Sequence, residues 1–290
     1  MKQSGTTVLS RLIAVVMALL LSACAASQLG DVSTTSTGTL PALALQGPVG
    51  LPPAKTQVLG NGLADALREQ GVSLAPTSES PARFKMKGVC SASPGGGNTS
   101  VVCVWDMIEP AGQRAHRIIT EDTVRGSQPA SPWAVVDNAA LGQIAQGVAG
   151  KTAAWLPNAP AEQTFRLSIP GLSGLSSRPT ISVTGVNGAP GSGNNELAAA
   201  MRGALRAQNV VVSTSANSAY RVAGQVSVSS AGRAEDQVVI EWTLTDTQGA
   251  SLGDVTQRNR VPKGALSRAW GVTARDAATA AARGIVQLLP

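Results

Sequence analysis

A chain of 290 residues with 43% hydrophobic and 14% charged residues has apolar material for one or two packed domains and is too apolar to read as disordered. Its formal charge of +6 is modest, and the chain contains no helix-turn-helix, zinc-finger or aromatic-basic RNA motif that would turn basic charge into nucleic-acid recognition. A lone histidine, His116, excludes a His-based metal cluster, and no cofactor motif is present.

In chain order, Lys2 and Arg11 precede the apolar run Leu12 to Leu21 (LIAVVMALLL), which is followed by the small residues Ser22 and Ala23. The run falls well short of the roughly 20 apolar residues that span a bilayer, so it reads as a cleaved leader. Leu21-Ser22-Ala23-Cys24 resembles the lipobox of bacterial lipoproteins. That resemblance implies loss of residues 1–23, attachment of a diacylglycerol to the Cys24 thiol, and acylation of the freed amine, as with palmitate. Several buried acyl chains hold a protein far more firmly than one. Ala25 stands where inner-membrane lipoproteins often carry aspartate, so by resemblance to the enterobacterial sorting rule the expected address is the outer membrane, facing the periplasm. The membrane is then one partner, and nucleic acid is not. The leader holds two cations and no acid, so 267 residues with a formal charge of +4 remain after its loss.

Residues 24–39, small, polar and almost uncharged, form a flexible tether. Beyond them the chain repeats itself. Trp105 and Trp242, Gly112 and Gly249, and Trp133 and Trp270 are each 137 residues apart, in a chain with five tryptophans. The reading is two homologous units, 40–157 and 178–290, joined by a linker over 158–177.

Each unit opens with an apolar strand (ALAL; ISVTGV) and a Gly-Pro-containing turn. A helix follows, with Leu59, Leu63 and Leu67 on one face in the first unit and Leu197, Met201 and Leu205 in the second. A hairpin comes next: ARFKMKGVCSAS with TSVVCVWDMI, and AYRVAGQVSVSS with QVVIEWTLTD. A further extended segment (HRIITEDTV; VTQRNRV) leads to a closing helix, with Ser131 and Ser267 as expected N-caps and Pro132 as the first helical residue. Trp270, Ala274, Ala277, Ala281, Ile285 and Leu288 make the apolar stripe of the last helix. The fold class is α+β: in each unit, strand, helix, antiparallel strands and helix, with the helices on one sheet face.

If the first hairpin turns between Gly96 and Gly97, residues equidistant from that bond face each other. Cys90 then faces Cys103, a candidate disulfide in an oxidising compartment, and Gly88 faces Trp105. The same construction in the second unit sets Gly224 opposite Trp242 and Val226 opposite Ile240. A glycine opposite a tryptophan twice over argues that the rings pack on bare backbone and do not stack on a ligand.

Gly188-Ala189-Pro190-Gly191-Ser192-Gly193-Asn194-Asn195 lies between a strand and a helix with the glycine spacing of a phosphate loop. Asn194 and Asn195 replace the lysine and hydroxyl that such a loop needs, so nucleotide hydrolysis is not expected. Gly188, Gly191 and Gly193 remain a candidate anion-binding loop. His116, in Arg114-Ala115-His116-Arg117, reads as a solvated residue on a strand edge, and Glu109, Glu121 and Asp122 form no acid-base pattern. Two basic groups, Arg258, Arg260, Lys263 and Arg268, and Arg114, Arg117 and Arg125, read as solvated surface or as a docking face for an acidic partner.

Behind a lipobox, each unit resembles the small α+β domain of periplasmic lipoproteins such as the activators of penicillin-binding proteins, the curli-secretion lipoprotein and the amino-terminal domain of TolB. The resemblance is one of architecture, and it implies a non-catalytic role with an envelope protein as partner. Peptidoglycan or lipid, bound in the cleft between the units, is the second expectation, and a hydrolase the third.

Overall fold

The computed structural model describes residues 40–158, 180–215 and 218–290. The leader, Cys24, the tether and most of the linker lie outside the described residues. In chain order the elements are β1 (Leu43–Leu45), α1 (Pro53–Glu69), β2 (Phe84–Gly95), β3 (Asn98–Ile108), β4 (Arg114–Arg125), α2 (Asn138–Trp155), β5 (Thr180–Asn187), α3 (Gly193–Ala207), β6 (Val211–Val212), β7 (Tyr220–Ser230), β8 (Glu235–Thr245), β9 (Ser251–Pro262) and α4 (Gly271–Leu288). The fold is α+β. No described helix is long and apolar enough to cross a membrane.

All nine strands join one sheet in the order β1-β2-β3-β4-β9-β8-β7-β5-β6. Two antiparallel meanders, β2-β3-β4 and β7-β8-β9, supply its body, and β4 pairs β9 in parallel at the centre. Short parallel partners close each side, β1 beside β2, and β5 beside β7 with β6 outermost.

The register decides where the helices go. One row across the sheet runs Gly88, Trp105, Ile118, Asp254, Thr243, and the adjacent row runs Val89, Val104, Ile119, Val255, Trp242, Gly224. Successive side chains of a strand point to opposite faces, so the two tryptophans lie on opposite sides of the sheet. Trp105 is packed with Leu59, Leu63 and Leu67 of α1 and Leu141, Ile144 and Val148 of α2. Trp242 is packed with Leu197, Met201 and Leu205 of α3 and Ala274, Ala281 and Ile285 of α4, together with Ile119 and Val255 from the two central strands. Each pair of helices therefore keeps to one face, as read from sequence, but the sheet as a whole is covered on both.

This inversion follows from a one-residue offset. The sequence landmarks recur at 137 residues, whereas the central strands pair at 136, Ile118 with Asp254 and Ile119 with Val255. In parallel strands, partners share a face, so matching positions displaced by one residue must face opposite ways. The strand order is symmetric about the β4–β9 pair, apart from the outermost β6.

Matched glycines fit this symmetry. Gly88 and Gly224 face Trp105 and Trp242, where a Cβ would come within 2.3 Å and 2.8 Å of the ring. Gly50 and Gly188 both have positive φ, and a Cβ would meet the backbone oxygen of Cys90 at 2.1 Å and of Val226 at 2.2 Å. Cys90 and Cys103 are joined in a disulfide beneath α1 and α2, closing a sequence separation of 13 residues. Its reduction is expected to cost about 2 to 3 kcal/mol by the loop-entropy relation. Thermal melts with and without a phosphine reductant, alongside alkylation and mass measurement, check both the bond and its contribution.

The closing helices begin elsewhere than Ser131 and Ser267 suggest. Pro132–Val135 forms a separate 3-10 turn, and α2 starts after Asp137, whose carboxylate accepts the Ala140 amide at 2.8 Å. An aspartate one residue before a continuous helix takes the capping role from a serine that precedes an interrupted one. Helix α4 starts at Gly271 with no cap from its own neighbours. Its first amides reach instead to Glu196 of α3, from Gly271 at 2.6 Å and Trp270 at 3.3 Å. Along α4, Ala278 is buried and Ala277 half-buried, which rotates the expected stripe slightly.

Candidate functional site

The parallel seam between β4 and β9 gathers most of the partly buried charge. The reading of β4 as an edge strand is corrected: it is central, because its outer side is taken up by β9. His116 is consequently buried, with none of its surface exposed, not solvated. Its ring stacks on Trp155 at 4.7 Å, Nδ1 lies 3.4 Å from the Ser251 carbonyl, and Nε2 lies 3.3 Å from Asp254 Oδ2 without hydrogen-bond alignment. Asp254 also accepts the Thr243 hydroxyl at 2.6 Å. Burial pushes the Asp254 carboxyl up, but the contact with His116, the Lys151 charge and the Thr243 hydroxyl outweigh it and hold it below the ordinary carboxylate range. Lys151 of α2 pairs with Glu241 at 3.3 Å, tying the helix to the far side of the seam.

At the same end, Arg117 makes a two-pronged contact with Asp106 at 2.5 and 2.7 Å and donates to the Gln287 carbonyl. Arg114 donates to the Leu288 and Leu289 carbonyls, the last acceptors of α4. These two arginines therefore serve a helix C-terminus, where free carbonyls and the helix dipole favour cations. They are not a free docking face. A cavity of about 490 Å³ lies here, lined by Glu109, Lys151, Trp155 and Asp246 among others.

At the opposite end of the seam Arg258 donates to Asp122 at 3.1 Å. Arg125 pairs with Glu235, and Gln257 donates to Glu121 at 3.1 Å. Burial pushes the Asp122 carboxyl above its ordinary range, with Arg258 opposing. Of the second basic group, Arg258 is spent on Asp122 and Lys263 donates to the Ser230 hydroxyl, while Arg260 and Arg268 are exposed. A crevice of about 340 Å³ opens at this end between the strand tips and the start of α2.

The glycine loop lies between the sheet and α4. Gly188 abuts the Val226 carbonyl, Gly191 the backbone of Arg268 and Gly193 the Trp270 indole. The amides of Ala189, Ser192 and Gly193 donate to Asn194, Arg268 and Pro190. The glycines thus let the loop approach a strand and α4, and these three amides are occupied internally. Glu196, just beyond, is held below the usual carboxylate range by the Ser192 hydroxyl and by the Gly271 and Trp270 amides. Among the described residues no group of three histidine, cysteine, aspartate or glutamate side chains is arranged to hold a metal ion.

Sequence reasoning missed Asp254, Lys151 and Trp155, which share the His116 end of the seam. One signal was available: β4 carries Glu121 and Asp122 where β9 carries Gln257 and Arg258, and opposite charges on two unassigned strands argue that they pair.

Sheet and seam together define an α+β protein whose helices cover both faces of one mixed sheet. No protein-family model matches the chain, and no curated protein matches it. Among solved structures, the chain is similar to a minor lipoprotein from Acinetobacter baumannii, at 15% identity and a TM-score of 0.30, over 42% of this chain and 97% of that one. It is also similar to a PelC dodecamer from Paraburkholderia phytofirmans, at 17% identity and a TM-score of 0.25, over 37% of this chain and 88% of that one.

Proposed function

We propose that this chain is a lipid-anchored accessory factor of the bacterial cell envelope, held by Cys24 in the outer membrane and presenting two homologous α+β units, 40–157 and 178–290, to the periplasm. Its role is to bind another envelope protein, without catalysis and without a cofactor. The observation that carries this reading is Leu21-Ser22-Ala23-Cys24 closing a ten-residue apolar run. The duplication is supported by the matched glycine contacts at Trp105 and Trp242 and at the Cys90 and Val226 carbonyls.

The anchor is tested in bacteria that express the full chain and its Cys24→Ser variant. Metabolically supplied palmitate should label the wild type and sediment with membranes, and both properties should disappear in the variant. An unlabelled, soluble wild-type protein would overturn the reading. The binding role is tested by cross-linking in intact envelopes: one stoichiometric protein partner supports it. Retention on purified cell-wall sacculi without a protein partner favours the second reading, an envelope ligand held between the units.

A further inference from the structure

Each unit's helices cover only one side of its outer strands, so alternate residues on the other side are exposed: Lys87, Val89 and Ser91 of β2, and Ala223, Gln225 and Ser227 of β7. These two bare faces occupy equal places and carry different chemistry. In the first unit Val49 pairs with Val89, and Val89 with Val104, in one row. The corresponding row of the second unit is Asn187, Gln225 and Glu241. The correspondence is set by neighbours already matched, Gly50 with Gly188, Gly88 with Gly224 and Trp105 with Trp242. Since the second unit holds polar residues at these places, the fold does not require valines in the first. Val104 joins the core beneath α3 and α4, but Val49 and Val89 are 55% and 56% exposed side by side, an arrangement that calls for a cover. Charge differs in the same way. Residues 41–50 and 82–95 hold Arg83, Lys85 and Lys87 and no carboxylate, whereas 180–188 and 218–231 hold Arg221 alone. Lys85 pairs with Glu79, and Lys87, exposed on the face of Val89, has no ion pair among the described residues.

We infer that the outer edge of this face lies on the phospholipid surface that holds the Cys24 acyl chains, with Val49 and Val89 entering between the headgroups and Lys87 on their phosphates. The inference rests on the lipid anchor proposed above and gives the folded part an orientation on the membrane. Chain connectivity selects the occupant. Residues 24–39 lead almost directly into β1, which begins at Leu43 on the edge of β2. Sixteen residues span at most about 55 Å, so a lipid-held chain keeps this edge within reach of the bilayer at all times. Such tethering supplies a high effective concentration, which a second copy or a soluble partner lacks. Apolar tips beside a lysine also suit the interface, where apolar area is buried among headgroups and cations meet anionic lipid. The polar face of the second unit, on the opposite side of the sheet, is then left to the periplasm.

The test is fluorescence quenching of the full lipidated chain in phosphatidylglycerol vesicles that contain a nitroxide-headgroup lipid. A dye is placed by Ser93→Cys on the bare face of β2 or by Ser229→Cys at the matching place on β7, both exposed. Quenching at position 93 should exceed that at 229 by about threefold or more. Exchanging the face for the residues of the second unit, Val49→Asn, Lys87→Ala and Val89→Gln together, should bring the two positions to the same quenching with melting unchanged. Equal quenching without that exchange, or a difference that survives it, overturns the inference. The first comparison leaves Val49, Lys87 and Val89 in place, so it decides even if the exchanged protein fails to fold. A dimer in detergent that the exchange converts to a monomer assigns the face to a second copy and overturns the inference as well. If Cys24 carries no lipid, the anchor fails and the inference with it. If Cys24 is lipidated and the two positions are quenched alike, the inference alone fails and the anchor stands.

Discussion

Arg258→Ala is expected to destabilise the protein by about 3 to 5 kcal/mol, the cost of leaving a buried carboxylate without its counter-charge. Arg258 is itself largely covered, with 16% of its side chain exposed, and its guanidinium lies against Gly147 of α2, where even a Cβ would approach Nη2 to 2.2 Å. No other cation among the described residues stands within ion-pair distance of Asp122. The loss should depend on pH in a defined sense. Burial already raises the Asp122 carboxyl above its ordinary value and Arg258 opposes that rise, so the variant moves it further up. Between the ordinary carboxylate value and the raised one, the folded state binds more protons than the unfolded state, and stability falls as pH rises through that window. The gap between variant and wild type is therefore widest at neutral pH and narrows in acid. Adding Asp122→Asn should restore much of the loss at neutral pH and remove the pH dependence. Urea unfolding across the acid range measures all three, and a gap that stays constant with pH would contradict the assignment. Asp254, at the other end of the seam, has the opposite sign. Its carboxyl is held low in the folded state, so its contribution is present above the ordinary carboxylate value and disappears as pH falls through the depressed one.

Gly50→Ala and Gly188→Ala are each expected to cost about 3 kcal/mol. The left-handed conformation penalises a side chain by roughly 1 to 2 kcal/mol. Overpacking adds about 1 to 3 kcal/mol, since the new methyl meets a strand carbonyl that cannot move without breaking the ladder. Gly112→Ala separates the two contributions. Its φ of +86° matches that of Gly50, yet nothing lies within 4 Å of the added carbon, so only the conformational part, about 1 kcal/mol, should appear. Chemical denaturation of the three variants resolves a difference of this size. Comparable losses at Gly50 and Gly112 would show that the strand contact adds nothing.

Local features of this fold were legible and long-range ones were not. The glycine turn at Gly96 and Gly97 is enough to set the β2 and β3 register, because a hairpin's register is fixed by its turn. Large apolar residues at every fourth position mark the buried stripes of α1 and α3 for a similar reason, since periodicity is local. The position of β4 depends on a partner more than a hundred residues away, and nothing within the strand tells an edge from a centre. His116 was misread with it: a polar run containing one histidine looks solvated until β9 covers it. The capping error has a tertiary cause too, because the group that meets the α4 amides belongs to α3. The charges of Glu121, Asp122 and Arg258 held the missing information, as complementary partners on strands not yet paired.

The outermost strands, β1 with three residues and β6 with two, have a consequence for assembly. An open sheet can go on adding strands, because it ends in rows of unpaired amides and carbonyls. Here β1 covers only Phe84–Met86 of β2 and β6 only Thr180 and Ile181 of β5, so the outer rims of the sheet are mostly the far halves of β2 and β5. Growth of the sheet by another strand would therefore start on β2 or β5, beyond the reach of the short strands that begin to cover them.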